Sequence, residues 1–428
     1  MNILVFTNNY IPHIGGVARS VYLFTRAFRA FGHRTVIVAP SDKKAPSYEP
    51  DVIRIPSVQN VTTNNFPISL PVPGYLNTTL ADYRADVIHS HHPFILGDTA
   101  IRYAAKYDAP IVFTYHTLYE QYVHYIGSNS PTLRQFVKEL TTAYCNLCDH
   151  IIAPSNSIAS ILPQQGVTSP VSVVPTGVHS SFFIPGNGNQ FRQKRHIPSN
   201  AFVVGHVGRL ALEKNLIFLS KAVAEFLQQY PTTHFLIIGE GDQQENVKRI
   251  FSQAGVLSRV HFAGFRRGKE LIDAYSSLDV FAFSSLTETQ GMVLLEAMAT
   301  GTPVVALDAP GTRDVINNNK NGWVISSRST TDFSLALANI MNLSDKERLR
   351  VRKAARQTAL QYTIENSANA TLSIYQNLAS RKHTTTEDIE DKSNAWKAAW
   401  RQVNIELELV SIRAQAMGNA LQQPKDYK

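Results

Sequence analysis

Two glutamates separated by seven residues, Glu288 and Glu296, bound the string Glu-Thr-Gln-Gly-Met-Val-Leu-Leu-Glu, which runs on into Ala297-Met298-Ala299-Thr300-Gly301-Thr302-Pro303. An ionised carboxylate only accepts hydrogen bonds, so such a pair suits a ligand rich in hydroxyls, and a ribose diol offers two adjacent donors. The apolar run Val280-Phe281-Ala282-Phe283 ahead of the string reads as a buried parallel strand. Gly291 opens a helical stretch that stops at Gly301, and Pro303 starts the next strand. Glu288 is thereby expected in the loop at a strand's carboxyl end, where α/β sheets bind ligands. Glu296 is expected one to two turns into the helix, along its open cleft side. The N–H groups of the first turn then point at whatever anion or hydroxyl lies there.

Other residues cluster at comparable strand ends. Gly205-His206-Val207-Gly208-Arg209-Leu210-Ala211-Leu212-Glu213-Lys214 brings two cations, Arg209 and Lys214, to the end of a strand at 202–207. Pro12-His13-Ile14-Gly15-Gly16-Val17 follows the first strand and precedes a helix, the place for backbone N–H groups to face an anion. His116 ends a strand in the string Thr114-Tyr115-His116-Thr117-Leu118-Tyr119-Glu120-Gln121-Tyr122-Val123-His124-Tyr125. His89, His91 and His92 gather at another strand end, where their spacing suits a metal but loop or cleft lining is the favoured reading. Cys145 and Cys148 sit late in a helical pattern without a second pair, which reads as helix packing rather than redox or zinc chemistry.

Positioning these residues takes two α/β halves. Apolar runs at 3–7, 35–39, 86–89, 111–115 and 151–154 alternate with helical stretches at 17–31, 95–106 and 132–148. The pattern restarts with strands at 202–207, 235–238, 260–262, 280–283, 303–306 and 323–325. That is the alternation of doubly wound parallel sheets. Residues 184–200, rich in Gly, Asn, Gln and Pro, read as linker.

The E-x7-E segment resembles that of the retaining glycosyltransferases of family 4, which have the GT-B fold. Most members open it with Glu-Gly-Phe-Gly; Glu288-Thr289-Gln290-Gly291 here, like the Tyr115–Tyr125 string, is similar to the diacylglycerol glucosyltransferase branch. The resemblance covers residues 1 to 380 or so and implies two Rossmann-like domains facing a cleft, divided as 1–178 (acceptor) and 179–362 (nucleotide sugar). It also implies a crossover helix at 363–380 returning to the first domain. Carried over by residue, it implies a donor site of Gly15, Gly16, Arg209, Lys214, Glu288, Thr289, Gln290, Gly291 and Glu296. Glu288 and the amides after it would hold the sugar, Glu296 the ribose, and Arg209 with Lys214 the diphosphate. His116 would hydrogen-bond the sugar and orient the reacting pair, so that His116, Glu288, Arg209 and Lys214 form the catalytic set. Glu120 and His124 are acceptor-site candidates, and backbone of His261–Phe265 would pass the uracil ring. The chain has no Asp-x-Asp, so the two cations are expected to replace a metal, and no cofactor beyond a UDP-sugar, UDP-glucose first, is expected. Either a covalent intermediate or same-face attack assisted by the departing phosphate would retain configuration, and the second is favoured because no carboxylate stands out as nucleophile.

Bulk properties restrict the alternatives. The 428 residues suffice for two cores, and 44% hydrophobic with 17% charged residues is globular composition. A net charge of +8 without long basic runs disfavours nucleic acid and fits a phosphate-bearing substrate or an anionic membrane face. No apolar run approaches a membrane span, and the chain opens directly on a strand, so a cytoplasmic protein, peripheral on the inner membrane face, is expected. Competing readings are a soluble or polyprenyl-linked acceptor, and a silent GT-B scaffold. Residues 381–428 read as a helical tail in which Ile389, Trp396, Trp400, Val403, Leu407, Val410, Ala414 and Met417 mark an a/d seam, for packing on its own domain or for a homodimer or partner docking.

Overall fold

Strands that are apolar on both faces cannot stop at one covered side, and the chain builds two helix-flanked parallel sheets around them. The computed structural model describes residues 1–13, 15–58, 68–69, 73–123 and 130–383, with residues 409, 412, 413 and 416. Two compact units divide it: Met1–Pro175 with the chain from Ser367 onward, and Thr176–Asn366.

The first unit holds β1 (Asn2–Phe6), β2 (Arg34–Pro40), β3 (Val52–Ile55), β6 (Val87–Ser90), β7 (Ile111–Thr114), β8 (His150–Ala153) and β9 (Val171–Val173), in the order β3-β2-β1-β6-β7-β8-β9. A small ribbon of β4 (Ser57–Val58) and β5 (Ile68–Ser69) lies apart. All seven strands pair in parallel, with Leu4 beside Val36 on one side and Ile88 on the other. Leu4, Phe6, Ile88, Phe113 and Ile151 are buried in its core, against Leu96, Ile101 and Tyr144 of the covering helices. Cys145 and Cys148 are both free thiols inside this core, and burial pushes each thiol up, which makes them packing residues.

The second unit has β10 (Phe202–Val207), β11 (Thr233–Ile238), β12 (Val260–Phe262), β13 (Val280–Phe283), β14 (Val304–Leu307) and β15 (Gly322–Ile325), ordered β12-β11-β10-β13-β14-β15 and wholly parallel. In each sheet the order reverses at one place, between β1 and β6 and between β10 and β13, and doubly wound sheets bind ligands at such points.

The stretch expected as linker is part of the second unit. Gly188–Gln193 is a helix against Gly268–Ser276, and a Cβ on Gly188 would lie 2.3 Å from the Ser276 carbonyl oxygen. Its glycines serve close packing rather than flexibility. The helix Ile364–His383 starts in the second unit and ends in the first, where Tyr375 packs on Phe28 and its hydroxyl bonds His89 Nδ1. The tail seam from Ile389 to Met417 lies outside the described residues. Of the described tail positions, Leu409 and Ala416 are buried, and Arg413 pairs with Asp98. Ile412 and Ala416 line a hollow of about 260 Å³ with Gln135, Lys138 and Thr142 of the helix Pro131–Asn146. Of these tail positions, Ile412, Arg413 and Ala416 lie against residues of the first unit.

Candidate active site

In the second unit the loops after β10 and β13 meet at the point of reversal. Ser284 Oγ donates to the Lys214 carbonyl at 2.8 Å and Ser285 Oγ to that of Glu213 at 3.2 Å, locking one loop to the other. Lys214 then reaches across and pairs with Glu288. Arg209 pairs with Glu213 one turn on, whose side chain is 4% exposed against 38% for Arg209. Both cations are thus paired within these loops. Each is neutralised by a carboxylate on the same pair of loops, a cheaper state than an uncompensated charge in a half-buried site.

The loop Glu288–Gly291 is held from both sides. Gly311 donates its backbone N–H to the Glu288 carbonyl at 3.0 Å. The Gln290 side chain accepts from Thr176 N–H at 2.7 Å and donates to Thr176 C=O at 2.6 Å, so its amide clamps the backbone and only its main chain can serve a ligand. Gly291 caps the helix Met292–Ala299 at φ +71°, a conformation that strains any residue with a Cβ. Thr289 and Gln290 are buried, while the Glu288 side chain is half-buried, 20% exposed.

Glu296 departs from the expectation of an open helix face: it is 2% exposed. Its helix is apolar almost throughout, with Leu294, Leu295, Ala297 and Met298 fully buried, and only Met292 and Val293 at its start are partly open to water. The carboxylate is supported by Tyr275, whose hydroxyl donates to Glu296 Oε2 at 2.9 Å. Beneath the same loops lies His206 of β10, with Nδ1 on the Ala282 carbonyl at 3.1 Å and its ring stacked on Phe281. Burial pushes it down to about 4, aided by the charge of Lys214. The stretch His261–Phe265 leaves β12 into a turn in which Phe265 N–H donates to Glu240 Oε1 at 3.1 Å.

In the first unit Gly15 is the extended N-cap of Gly16–Ala30, and Gly16 is exposed with no atom near the place of a Cβ. Ile14 and His124 lie outside the described residues. At the reversal, Asn8 N–H donates to His92 Nδ1 at 3.1 Å and Asn8 Oδ1 accepts from Leu96 N–H at 3.1 Å, joining the loops after β1 and β6.

Of the three clustered histidines His91 and His92 lie in the loop after β6, as expected, while His89 lies within the strand. His89, like His91, is 2% exposed. His89 Nε2 bonds Thr114 Oγ1 at 2.7 Å, and His91 Nδ1 bonds His116 Nε2 at 2.8 Å. Their hydrogen bonds go to protein rather than to a shared ligand point. Burial holds His89 and His92 down at about 3, and His91 and His116 well below the usual imidazole range, so all four are neutral. His116 itself is half-exposed at the end of β7. Glu120 lies in the single turn Tyr119–Gln121, where burial pushes its carboxyl up and Lys138 and Gln165 pull it back. Its Oε2 is buried without a hydrogen bond.

Tyr275, Thr114 and Tyr375 were not visible as site residues. Each acts through a contact made across the fold, and no local spacing announces it. Glu213 was legible, four residues from Arg209 along one loop.

Comparison with known proteins agrees with this fold. The family Glycosyltransferase Family 4 matches residues 14–182, and Glycosyl transferases group 1 matches residues 188–358. The chain is 29% identical over 335 residues to the alpha-monoglucosyldiacylglycerol synthase of Streptococcus pneumoniae, covering 75% of this chain and 74% of that one. It is also 29% identical over 366 residues to a GDP-mannose-dependent alpha-mannosyltransferase of Mycobacterium tuberculosis, covering 84% and 92%. HepE of Anabaena, solved in complex with UDP-glucose, superposes with a TM-score of 0.70 at 20% identity, covering 87% of this chain and all 100% of that one. Two parallel-sheet units with these matches leave one assignment: the chain is a GT-B glycosyltransferase and belongs to family 4.

Proposed function

We propose that this enzyme transfers a glucosyl group from UDP-glucose to diacylglycerol, with retention of configuration and without a metal, as a peripheral protein on the anionic inner face of the cell membrane. The observation that carries the reading is the Lys214–Glu288 pair at the sheet reversal of the second unit, a cation and a carboxylate on adjoining loops. There the diphosphate of a donor would exchange places with Glu288 on Lys214 and with Glu213 on Arg209. The carboxylate of Glu288, with the amides of Thr289, Gln290 and Gly291, would then turn to the sugar. Glu296, already oriented by Tyr275, would accept from the ribose diol. The sugar–phosphate bond breaks with its electron pair leaving on UDP, and Arg209 and Lys214 take up that charge. The acceptor hydroxyl attacks from the same face, its proton passing to the departing phosphate oxygen.

In the first unit we assign His116 to hydrogen bonding with the reacting sugar, Gly15 and Gly16 to the donor phosphates, and Glu120 with His124 to the acceptor. Support for the lipid acceptor is the resemblance to a glucosyldiacylglycerol synthase, and for the uridine nucleotide the UDP-glucose complex of a fold relative. No helix among the described residues is long and apolar enough to cross a membrane, which is consistent with a peripheral attachment. An equally similar mannosyltransferase uses GDP-mannose, so the test offers both donors to vesicles containing diacylglycerol and to a soluble acceptor. Release of UDP coupled to a glucosylated lipid is expected. Transfer from GDP-mannose alone, or to the soluble acceptor alone, overturns the assignment.

A further inference from the structure

The loop Glu288–Gly291 is fastened to the stretch by which the chain enters the second unit. Pro175 is the last residue of the first unit and Thr176 the first of the second. Thr176 gives both of its backbone groups to the Gln290 side chain: its N–H donates to Oε1 at 2.7 Å, and its carbonyl accepts from Nε2 at 2.6 Å. A backbone N–H only donates and a carbonyl only accepts, so these two partners fix which end of the amide is the oxygen. Both residues are buried, which keeps water from competing for either bond. The entry stretch is held in turn. A Cβ on Gly177 would lie 2.2 Å from the carbonyl carbon of Thr363, so the two backbones are in direct contact. Val178 N–H donates to the Tyr362 carbonyl at 2.7 Å and Ile364 N–H to the Val178 carbonyl at 3.1 Å. The chain is thus bonded, where it enters the unit, to the stretch just before it leaves at Asn366.

On its other side the loop meets Gly311, where a Cβ would lie 2.9 Å from both the Glu288 carbonyl oxygen and the Gln290 carbonyl carbon. Its start is tied by the Lys214–Glu288 pair, and that tie is released when a diphosphate takes the place of Glu288 on Lys214. None of the groups in the Gln290 clamp is assigned to the donor, so the clamp stays closed when the donor is bound. We propose that the Gln290 side chain is a positioning residue for sugar transfer: through Thr176 it sets the backbone amides of Thr289, Gln290 and Gly291 against the reacting sugar. The inference rests on the assignment of those amides to the sugar. It adds that their placement depends on a side chain that turns away from the substrate to the chain's point of entry.

Gln290→Met keeps the length of the side chain and removes both bonds. Turnover is counted per UDP-binding site, titrated by calorimetry, so that misfolded protein drops out of the comparison. On that scale kcat is expected to fall about 10- to 100-fold, as a misplacement of about an ångström does. Affinity for UDP should stay at the wild-type value, because ribose and diphosphate are assigned to Glu296, Arg209 and Lys214. Hydrogen exchange at the loop amides should quicken while that of the strand Val280–Phe283 stays as it was. Gln290→Asn, which keeps an amide but falls one methylene short of Thr176, should show the same split and decides the matter if the Met variant fails to fold. Full kcat per binding site in either variant, or a loss of UDP affinity as large as the loss in kcat, overturns the proposal. Full turnover of Glu288→Ala would instead overturn the sugar assignment of the loop.

Discussion

Glu296 and Glu288 sit on one short segment in opposite states, and that difference separates their roles. Glu296 is buried and braced by Tyr275, so removing it should damage binding of the nucleotide itself. Glu296→Ala is expected to weaken UDP binding by about 1.5–3 kcal/mol in calorimetry, the range for a hydrogen bond to a charged group. Glu288→Ala should leave UDP affinity near wild type and reduce turnover, because Glu288 is half-buried and tied to Lys214 rather than set to meet the ribose. The reverse pattern would exchange their roles. Lys214→Ala should cost about 10²–10³ in kcat, the loss seen when a charge-stabilising group is removed. Chelator should leave the wild-type enzyme unaffected. Loss of activity in chelator, restored by a divalent ion, would mean that a metal carries the charge instead.

Elements were more legible than their supports. Strands at 202–207, 260–262 and 280–283 have the expected bounds, and for the first and last the closing Gly208, Asp279 and Ser284 leave the apolar run little room for slippage. Strand β3 and the ribbon of β4 and β5 were missed because Val52–Ile55 is short, at the sheet edge and interrupted by Arg54. Of the site, the strand-end positions of Arg209, Lys214, Glu288 and His116 could be read from local pattern. The burial of Glu296 and the bracing by Tyr275 and Tyr375 could not, because they depend on helices distant in sequence packing on one strand or helix. The helix Ile364–His383 provides a test at this scale. Tyr375→Phe leaves His89 Nδ1 buried without its partner, at a cost of about 1–3 kcal/mol. Urea unfolding should show that loss in the first unit, with UDP affinity unchanged. An unaltered midpoint would mean the bond contributes nothing.

For the whole molecule, neutral buried histidines set the response to acid. Burial lowers His89 and His92 to about 3 and His206 to about 4 in the folded chain, against 6.5 for an ordinary imidazole. Above pH 6.5 these groups are neutral in both states and their contribution is fully present. As pH falls from 6.5 toward 4 the unfolded chain binds protons that the folded chain refuses, so stability is lost by about 1.4 kcal/mol per pH unit for each such histidine. Chemical denaturation at pH 7, 6 and 5 should show that decline, and constant stability across the range would contradict the burial. The central claim concerns the reaction, and the product decides it most directly. The enzyme would be incubated with UDP-glucose labelled at C1, vesicles of diacylglycerol and anionic phospholipid, and excess chelator, and the purified glycolipid read by NMR. A glucosyl diacylglycerol with the donor's own anomeric configuration is predicted. An inverted anomer, or no glycolipid until a divalent ion is restored, would contradict the account.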